Sequence, residues 1–195
     1  VVKISRDPTE GPTVAAIQAF VGNRPDSYPG LAIIKNVWRL PEQIVYRGKS
    51  WDVYAVVRET VNPLEFDDYQ NAMYDRDNCL SREIVLGIDR LHDYVDAGTK
   101  FKTLKTAWSK RKYFDQMRTT VGEMYHHEPT YYIASALDEL LDADIVLTDV
   151  HRANVGYRVI DWDTNGKFEL APTNSLLIYD FGHSNVQFDV PVLGE

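Results

Sequence analysis

The residues with the clearest chemical potential lie in the C-terminal third of the chain. Asp149 and Asn154 follow the apolar run 145–147, and Asp180 follows the apolar run 176–179. Carboxylate and amide oxygens at two neighbouring strand ends suit Mg²⁺, which prefers hard oxygen ligands. Phosphoryl transfer requires such metal ions, a cation on the phosphates and a carboxylate near the acceptor hydroxyl. These three side chains therefore predict a phosphoryl-transfer site.

The order and spacing of two short motifs make this prediction more specific. Residues 149–154 read Asp-Val-His-Arg-Ala-Asn, and residues 180–182 read Asp-Phe-Gly. Each motif alone is weak, because Asp is common in turns at strand ends. Together they follow apolar strands, leave room for one hairpin and occur in the order that protein kinases use. We expect Asp149 to accept or orient the acceptor's proton, and Asn154 and Asp180 to bind Mg²⁺.

The C-terminal third resembles the protein-kinase-like superfamily. His151 replaces the usual Lys, which is similar to the Asp-x-His-x-x-Asn loop of aminoglycoside and choline kinases and of some phage kinases. The chain looks most like the early serine/threonine protein kinases of T-seven-like bacteriophages. That family has a Val-Ile-Lys strand, a short alanine-rich helix ending near Ala-Phe, and an Arg-Pro segment. The segments that match this order are Val2-Lys3-Ile4, residues 15–20 and Arg24-Pro25.

The resemblance also implies residues that bind ATP. Lys3 would hold the α and β phosphates, although an exposed strand lysine is an equal alternative. Two positions are candidates for the partner of Lys3, and neither matches the family fully. Gln18 lies near the expected place but is not a glutamate, and Glu10 lies at the start of the helix. Glu59 and Val61 belong to a segment that would meet the adenine edge. The alternative is an ordinary link between a strand and a helix.

The hydrophobic pattern predicts an α+β chain. Strands are expected at 1–4, 31–40, 43–47 and 52–61, with a hairpin turn at 48–50 and one helix at 12–20. Helices are then expected at 66–74, 82–97, 102–120 and 130–141, followed by strands at 145–147, 155–160 and 176–179. The resemblance implies a minimal two-lobed kinase-like fold. Its N-lobe, 1–61, is a small antiparallel sheet with one helix, and its mostly helical C-lobe, 62–195, carries the catalytic loop and Asp-Phe-Gly.

Two parts of a kinase are missing from this sequence. The chain starts with Val1 inside an apolar run, so we expect upstream residues, and the glycine-rich loop that would precede Lys3 is not present. After Gly182 only 13 residues remain, too few for an activation segment of normal length. We therefore expect substrate recognition to use another region, such as the helical residues 97–124.

Composition limits the classes of function. The net charge of −8 argues against a general nucleic-acid binder, which would show a basic face. The single cysteine, Cys79, excludes an internal disulfide and favours a reducing cytoplasm. No apolar run approaches membrane-spanning length, so no membrane partner is expected. The basic stretch Lys100 to Arg118 is interpreted as a solvated helix face, with a docking patch for an acidic partner or a phosphate as the alternative.

Three functions are consistent with these observations. The first is transfer of phosphate from ATP and Mg²⁺ to Ser or Thr of proteins, which for a phage enzyme means host proteins such as the RNA polymerase, in the host cytoplasm. The second is a weakly active or inactive kinase-like module that inhibits a host protein by direct contact. The third is a small-molecule kinase of the aminoglycoside type, suggested by His151.

Overall fold

A computed structural model describes residues 1–5, 9–46, 48–64, 70, 79–162, 168–170 and 175–181. Within these residues the chain is α+β, as predicted. A three-stranded antiparallel sheet with one helix comes first, followed by one short strand of a second sheet, then three helices, then the remaining strands of the second sheet. The predicted helix 66–74 falls largely outside the described residues.

The first sheet has the strand order β1, β3, β2. These strands are Val2–Ser5 (β1), Ile34–Tyr46 (β2) and Lys49–Arg58 (β3). The two strands predicted at 31–40 and 43–47 form one long edge strand, whose pairing with β3 is irregular between Arg39 and Gln43. Pro41 lies in this irregular stretch. Because proline has no N–H to donate, it interrupts the hydrogen bonds between the two strands. The hairpin is confirmed, but β3 already begins at Lys49, so the predicted turn at 48–50 is placed too late.

Helix α1, Glu10–Val21, packs on one face of this sheet. Val14 and Ile17 are fully buried beneath it. A side chain at Gly11 would overlap the ring of Tyr54 on β3, so the helix and the strand are in close contact there. The helix ends at Gly22, which has φ 57° and donates its N–H to the carbonyl of Gln18. The predicted helix is confirmed, and it begins earlier than expected, at Glu10.

Three helices form most of the core: Cys79–Thr103 (α2), Ala107–Met124 (α3) and Tyr131–Asp142 (α4). Tyr94, Met117 and Leu137 are fully buried between them. The predicted break at 98–101 is wrong, because α2 continues through Gly98 to Thr103 and buries Phe101. Helix α3 begins after Thr106, whose hydroxyl accepts a hydrogen bond from the N–H of Ser109. Among the described helices, none combines the length and apolar character needed to cross a membrane.

The second sheet is organised around β5, Val155–Trp162. The other strands, Val61–Pro63 (β4), Phe168–Leu170 (β6) and Leu176–Ile178 (β7), all pair with it in antiparallel fashion. The predicted strand 145–147 is wrong: these residues are buried but belong to no strand. Ile145 instead donates its N–H to the carbonyl of Leu140 at the end of α4. A short apolar run cannot by itself distinguish a buried strand from a buried irregular segment.

Candidate active site

Lys3 lies at the meeting point of the two sheets. Its Nζ is 2.8 Å from Oε1 of Glu10 and 2.9 Å from Oδ1 of Asp180. Lys3 on β1 is directly opposite the buried Val56 on β3, so the two side chains lie on the same face of the sheet. From this face Lys3 reaches both carboxylates. The structure thus brings the predicted phosphate-binding lysine and a predicted metal ligand into direct contact, although 177 residues separate them in the chain.

Glu10 is held by its position at the start of α1. Helix N-termini favour negative charge, so the first turn is a suitable place for a carboxylate. One oxygen of Glu10 bonds Lys3, and the other accepts a hydrogen bond from the hydroxyl of Ser5. Only 3 % of Glu10 is exposed, so this carboxylate is buried with both oxygens satisfied. Of the two open choices, the structure selects Glu10 as the partner of Lys3, whereas Gln18 lines an apolar cavity at the other end of α1.

The surroundings of Lys3 keep it charged. Burial by itself would lower the pKa of Lys3. Hydrogen bonds and charges from Glu10 and Asp180 outweigh burial and raise the pKa above its ordinary value of 10.5. At neutral pH the ammonium group is therefore protonated and can bind an anion.

The loop from Asp149 to Asn154 is folded on itself by short-range hydrogen bonds. The side-chain nitrogen of Asn154 donates to the carbonyl of Asp149 at 2.5 Å, and His151 Nδ1 accepts the N–H of Ala153 at 3.2 Å. His151 Nε2 lies 3.7 Å from Oδ1 of Asp149. Asn154 is 8 % exposed, while Asp149 remains partly open to solvent. The loop thus fixes the amide of Asn154 and leaves the carboxylate of Asp149 accessible.

Backbone contacts tie this loop to the segment that carries Asp180. Tyr179, which follows β7, donates its N–H to the carbonyl of Asn154 at 2.9 Å. Its hydroxyl donates to the carbonyl of Ala153 at 2.7 Å. Phe181 on the other side of Asp180 is buried in the core, and Gly182 lies outside the described residues. Asp180 is therefore fixed on both sides, next to the loop that carries Asn154.

The donor set fits a magnesium ion. Asp180 would supply carboxylate oxygens and Asn154 would supply its amide oxygen, because the amide nitrogen is engaged by the carbonyl of Asp149. Both are hard oxygen ligands of the kind that Mg²⁺ takes together with water and phosphate. Within the described part of the chain, no group of three or more His, Cys, Asp or Glu side chains could hold a metal. A magnesium site here would therefore require the amide oxygen of Asn154 in addition to the carboxylate of Asp180.

The two residues predicted to meet the adenine edge, Glu59 and Val61, lie in different surroundings. Glu59 uses its carboxylate to bind Arg158 of β5, at 2.9 and 3.0 Å, and to accept the N–H of Ile33 at 2.6 Å. This side chain joins the two sheets. Its own N–H donates to the carbonyl of Ile33, so that group is already engaged.

Val61 keeps its backbone groups turned away from β5. Leu64 donates its N–H to the carbonyl of Val155, and hydrogen-bonded pairs alternate along an antiparallel ladder. By this alternation the pair Val61 and Arg158 is not hydrogen-bonded, and the N–H and carbonyl of Val61 point to the opposite edge of β4. Among the described residues no strand pairs with that edge.

Arg58 is a site residue that the sequence analysis missed. Its guanidinium lies 4.6 Å from the centre of the Tyr179 ring. Burial lowers the pKa of Arg58, while the charges of Asp180 and Tyr179 act in the opposite direction. A second cation thus lies near Asp180. The strand pattern offers one indirect signal, since Arg58 shares the sheet face of Val56 and Lys3.

The predicted residues thus fall into two groups. Lys3, Asp180, Asn154 and Asp149 are connected by direct or neighbouring contacts, whereas the side chain of Glu59 faces Arg158. Comparisons of the chain with protein-family models, curated proteins and solved structures give no significant match. The function must therefore be inferred from the chemistry of this site.

Proposed function

We propose that this chain transfers the γ-phosphoryl group of ATP to Ser or Thr hydroxyl groups of proteins, with Mg²⁺ as cofactor. The main support is Lys3, which bonds Glu10 and Asp180 at once while Asp180 adjoins the Asp149–Asn154 loop. Such a cluster contains the parts that phosphoryl transfer requires: a cation, metal ligands and a carboxylate for the acceptor. We further propose a kinase-like arrangement with an N-lobe at 1–61 and a C-lobe at 62–195.

Each residue has one role in this proposal. Lys3 binds the α and β phosphates and is oriented by Glu10, as their contact at 2.8 Å supports. Asp180 and Asn154 hold Mg²⁺, which when bound neutralises phosphate charge. Asp149 is accessible and accepts or orients the proton of the acceptor hydroxyl. Backbone groups of Val61 contact the adenine edge.

One observation favours a second function, a kinase-like module that binds a partner protein without efficient catalysis. Asp180 is already bonded by Lys3, and Arg58 lies near it. Lys3 and Arg58 can therefore neutralise the negative charge of Asp180 that a bound Mg²⁺ would otherwise neutralise. In that case the site would stabilise the fold and leave catalysis weak.

Transfer of radiolabelled γ-phosphate to a general protein acceptor such as casein, together with autophosphorylation, tests the proposal. We expect Mg²⁺-dependent transfer by the natural sequence and a loss of about 100-fold or more in Asp149→Asn, because a positioned general base contributes at least that much. Asp144→Asn is the matched control. Asp144 has φ 59°, a conformation that Asn also tolerates, so transfer should be unchanged. ATP binding without transfer would favour the binding module, and equal transfer by both variants would exclude the proposed role of Asp149.

A further inference from the structure

A strongly basic surface lies where α2 ends and α3 begins. Between positions 97 and 114 the chain has no Asp or Glu, although it is acidic as a whole. The cations of this stretch are Lys100, Lys102, Lys105, Lys110, Lys112 and Arg111, the last of which is paired with Asp115 at 2.9 Å. We call these six side chains together with Trp108 the basic Trp108 surface.

Aromatic rings of α2 and α3 lie next to several of these cations. The Nζ atoms of Lys100 and Lys112 lie 5.9 and 5.6 Å from the centre of the Tyr113 ring. One comes from α2 and the other from α3, so the two helices bring like charges to the same ring. Lys110 lies 5.3 Å from the centre of the Phe101 ring. The stretch carries positive charge with no acidic residue of its own, so it attracts anions.

Trp108 gives the same surface an apolar anchor. It lies in the first turn of α3 and is 79 % exposed. Large exposed aromatic side chains are costly to leave in water and are among the residues that contribute most to protein interfaces. Trp108 therefore adds an apolar contact to the charge of the neighbouring lysines.

One residue of α2 just before this surface packs against the segment that precedes Asp149. A methyl group at Gly98 would be 3.4 Å from the Cα of Thr148, the residue before Asp149. Lys100, two positions after Gly98, lies about 200° around the helix and therefore faces away from Thr148, whereas Lys102 lies one turn further along the side that Gly98 occupies.

We propose that the basic Trp108 surface binds a short acidic segment of a partner protein, with Trp108 as the apolar anchor. A protein segment fits better than nucleic acid for two reasons. A long polyanion would also meet the acidic remainder of the chain, which carries a net charge of −8 overall. Sequence-tolerant binding of single strands uses several stacking rings, whereas Tyr113 is here flanked by two ammonium groups. Use of the surface to select phosphoryl acceptors rests on the proposed function, but the binding itself does not.

Fluorescence anisotropy with a labelled Glu-rich peptide that carries one Leu tests this proposal on the full chain. We expect saturable binding that weakens as salt is added. Reversing the exposed pair in Lys105→Glu/Lys112→Glu should weaken binding about tenfold or more. The matched control Lys35→Glu/Lys49→Glu changes the net charge equally on exposed strand residues elsewhere and should change binding less than about twofold. Trp108→Ala should also weaken binding, and circular dichroism should confirm that every variant is folded.

Three results would overturn the proposal: no binding by the natural sequence at low salt, equal loss in the two charge-reversal pairs, or tighter binding of an oligothymidine of matched charge. The last result would assign the surface to nucleic acid. Asp149→Asn should bind the peptide normally. Peptide binding without phosphoryl transfer would thus support this inference and contradict the proposed function. Phosphoryl transfer without peptide binding would support the proposed function and contradict this inference.

Discussion

Glu10 is the residue on which the geometry of the candidate site depends most directly. It is buried at the start of α1, and its two oxygens bond Ser5 and Lys3. A buried carboxylate is stable only when it is paired and hydrogen-bonded, and both conditions are met here. Glu10 therefore orients Lys3, and the other ion-pair partner of Lys3 is the proposed metal ligand Asp180.

Glu10→Gln should weaken Mg²⁺–ATP binding about tenfold, because Lys3 would then be held by Asp180 alone and would compete with the metal. The variant should also lose about 1–3 kcal/mol of unfolding free energy, since the ion pair is only partly buried. Titration calorimetry and urea denaturation measure the two effects. The exposed Glu42→Gln on β2 should change neither. Unchanged nucleotide affinity in Glu10→Gln would argue against an orienting role.

Single residues of the site differ in how far the sequence could reveal them. Asp149, Asn154 and Asp180 could be identified because their order and spacing are written in the chain. The sequence does not decide between Glu10 and Gln18 as the partner of Lys3. The helix is predicted to begin at Pro12, so Glu10 is not expected to lie in its first turn. The contact of Arg58 with Tyr179 joins residues far apart in sequence, and no local pattern predicts it.

At the scale of elements, the segment 30–32 connects the helical core to the second sheet. Ile178 of β7 donates its N–H to the carbonyl of Gly30, and Ala32 donates to the carbonyl of Ile178. A side chain at Gly30 would overlap the backbone carbonyl of Tyr132 in α4. Glycine is required here because the backbone of one element lies directly against that of another.

Gly30→Ala should therefore destabilise the fold by about 3 kcal/mol or more, because the backbone of α4 cannot move aside easily. Gly122→Ala is the matched control: it lies in α3, and a Cβ there meets no atom within 4 Å. It should stabilise the protein by about 0.5–1 kcal/mol, because alanine favours the helix. Urea denaturation measures both changes. Equal stability of the two variants would contradict the close packing of this segment against α4.

The sequence predicted elements best where the apolar period was strong, as in α4, whose buried Ile133, Leu137 and Leu140 share one face. The prediction was wrong where tertiary packing decided the outcome. Residues 145–147 are apolar enough for a strand but are buried as an irregular segment after α4. Helix α2 passes through Gly98, where the sequence suggested a break, and packs there against Thr148 and Met117. These outcomes depend on neighbours that are distant in the chain.

At the scale of the whole molecule, two ion pairs connect the first sheet to the second. Lys3 reaches Asp180 after β7, and Glu59, which follows β3, reaches Arg158 of β5. These contacts span 177 and 99 residues of sequence. The α+β class followed from the order of elements, whereas the joining of the two sheets through charged residues did not. The site lies at this joint, so its geometry and the stability of the molecule are linked.

This link has a pH dependence that follows from Lys3. Its folded-state pKa is raised above 10.5, so the stability it contributes is complete below that value and is lost as the pH rises through the folded pKa. The difference in unfolding free energy between the natural sequence and Lys3→Met should be constant from neutral pH to about pH 10 and shrink above it. Urea denaturation across this range measures the difference. A difference that shrinks already near neutral pH would contradict the assigned ion pairs.

Calorimetric titration with ATP, with Mg²⁺ and then with EDTA, decides whether Lys3, Asp180 and Asn154 form a magnesium–nucleotide site. We predict saturable binding that requires Mg²⁺ and is weakened about tenfold or more in Asp180→Asn and Asn154→Ala, with Asp144→Asn unchanged. At a hundredfold excess over Kd the nucleotide should also stabilise the fold by about 2.7 kcal/mol. Absence of binding, or equal Mg²⁺-independent binding in all four proteins, would contradict the proposed site.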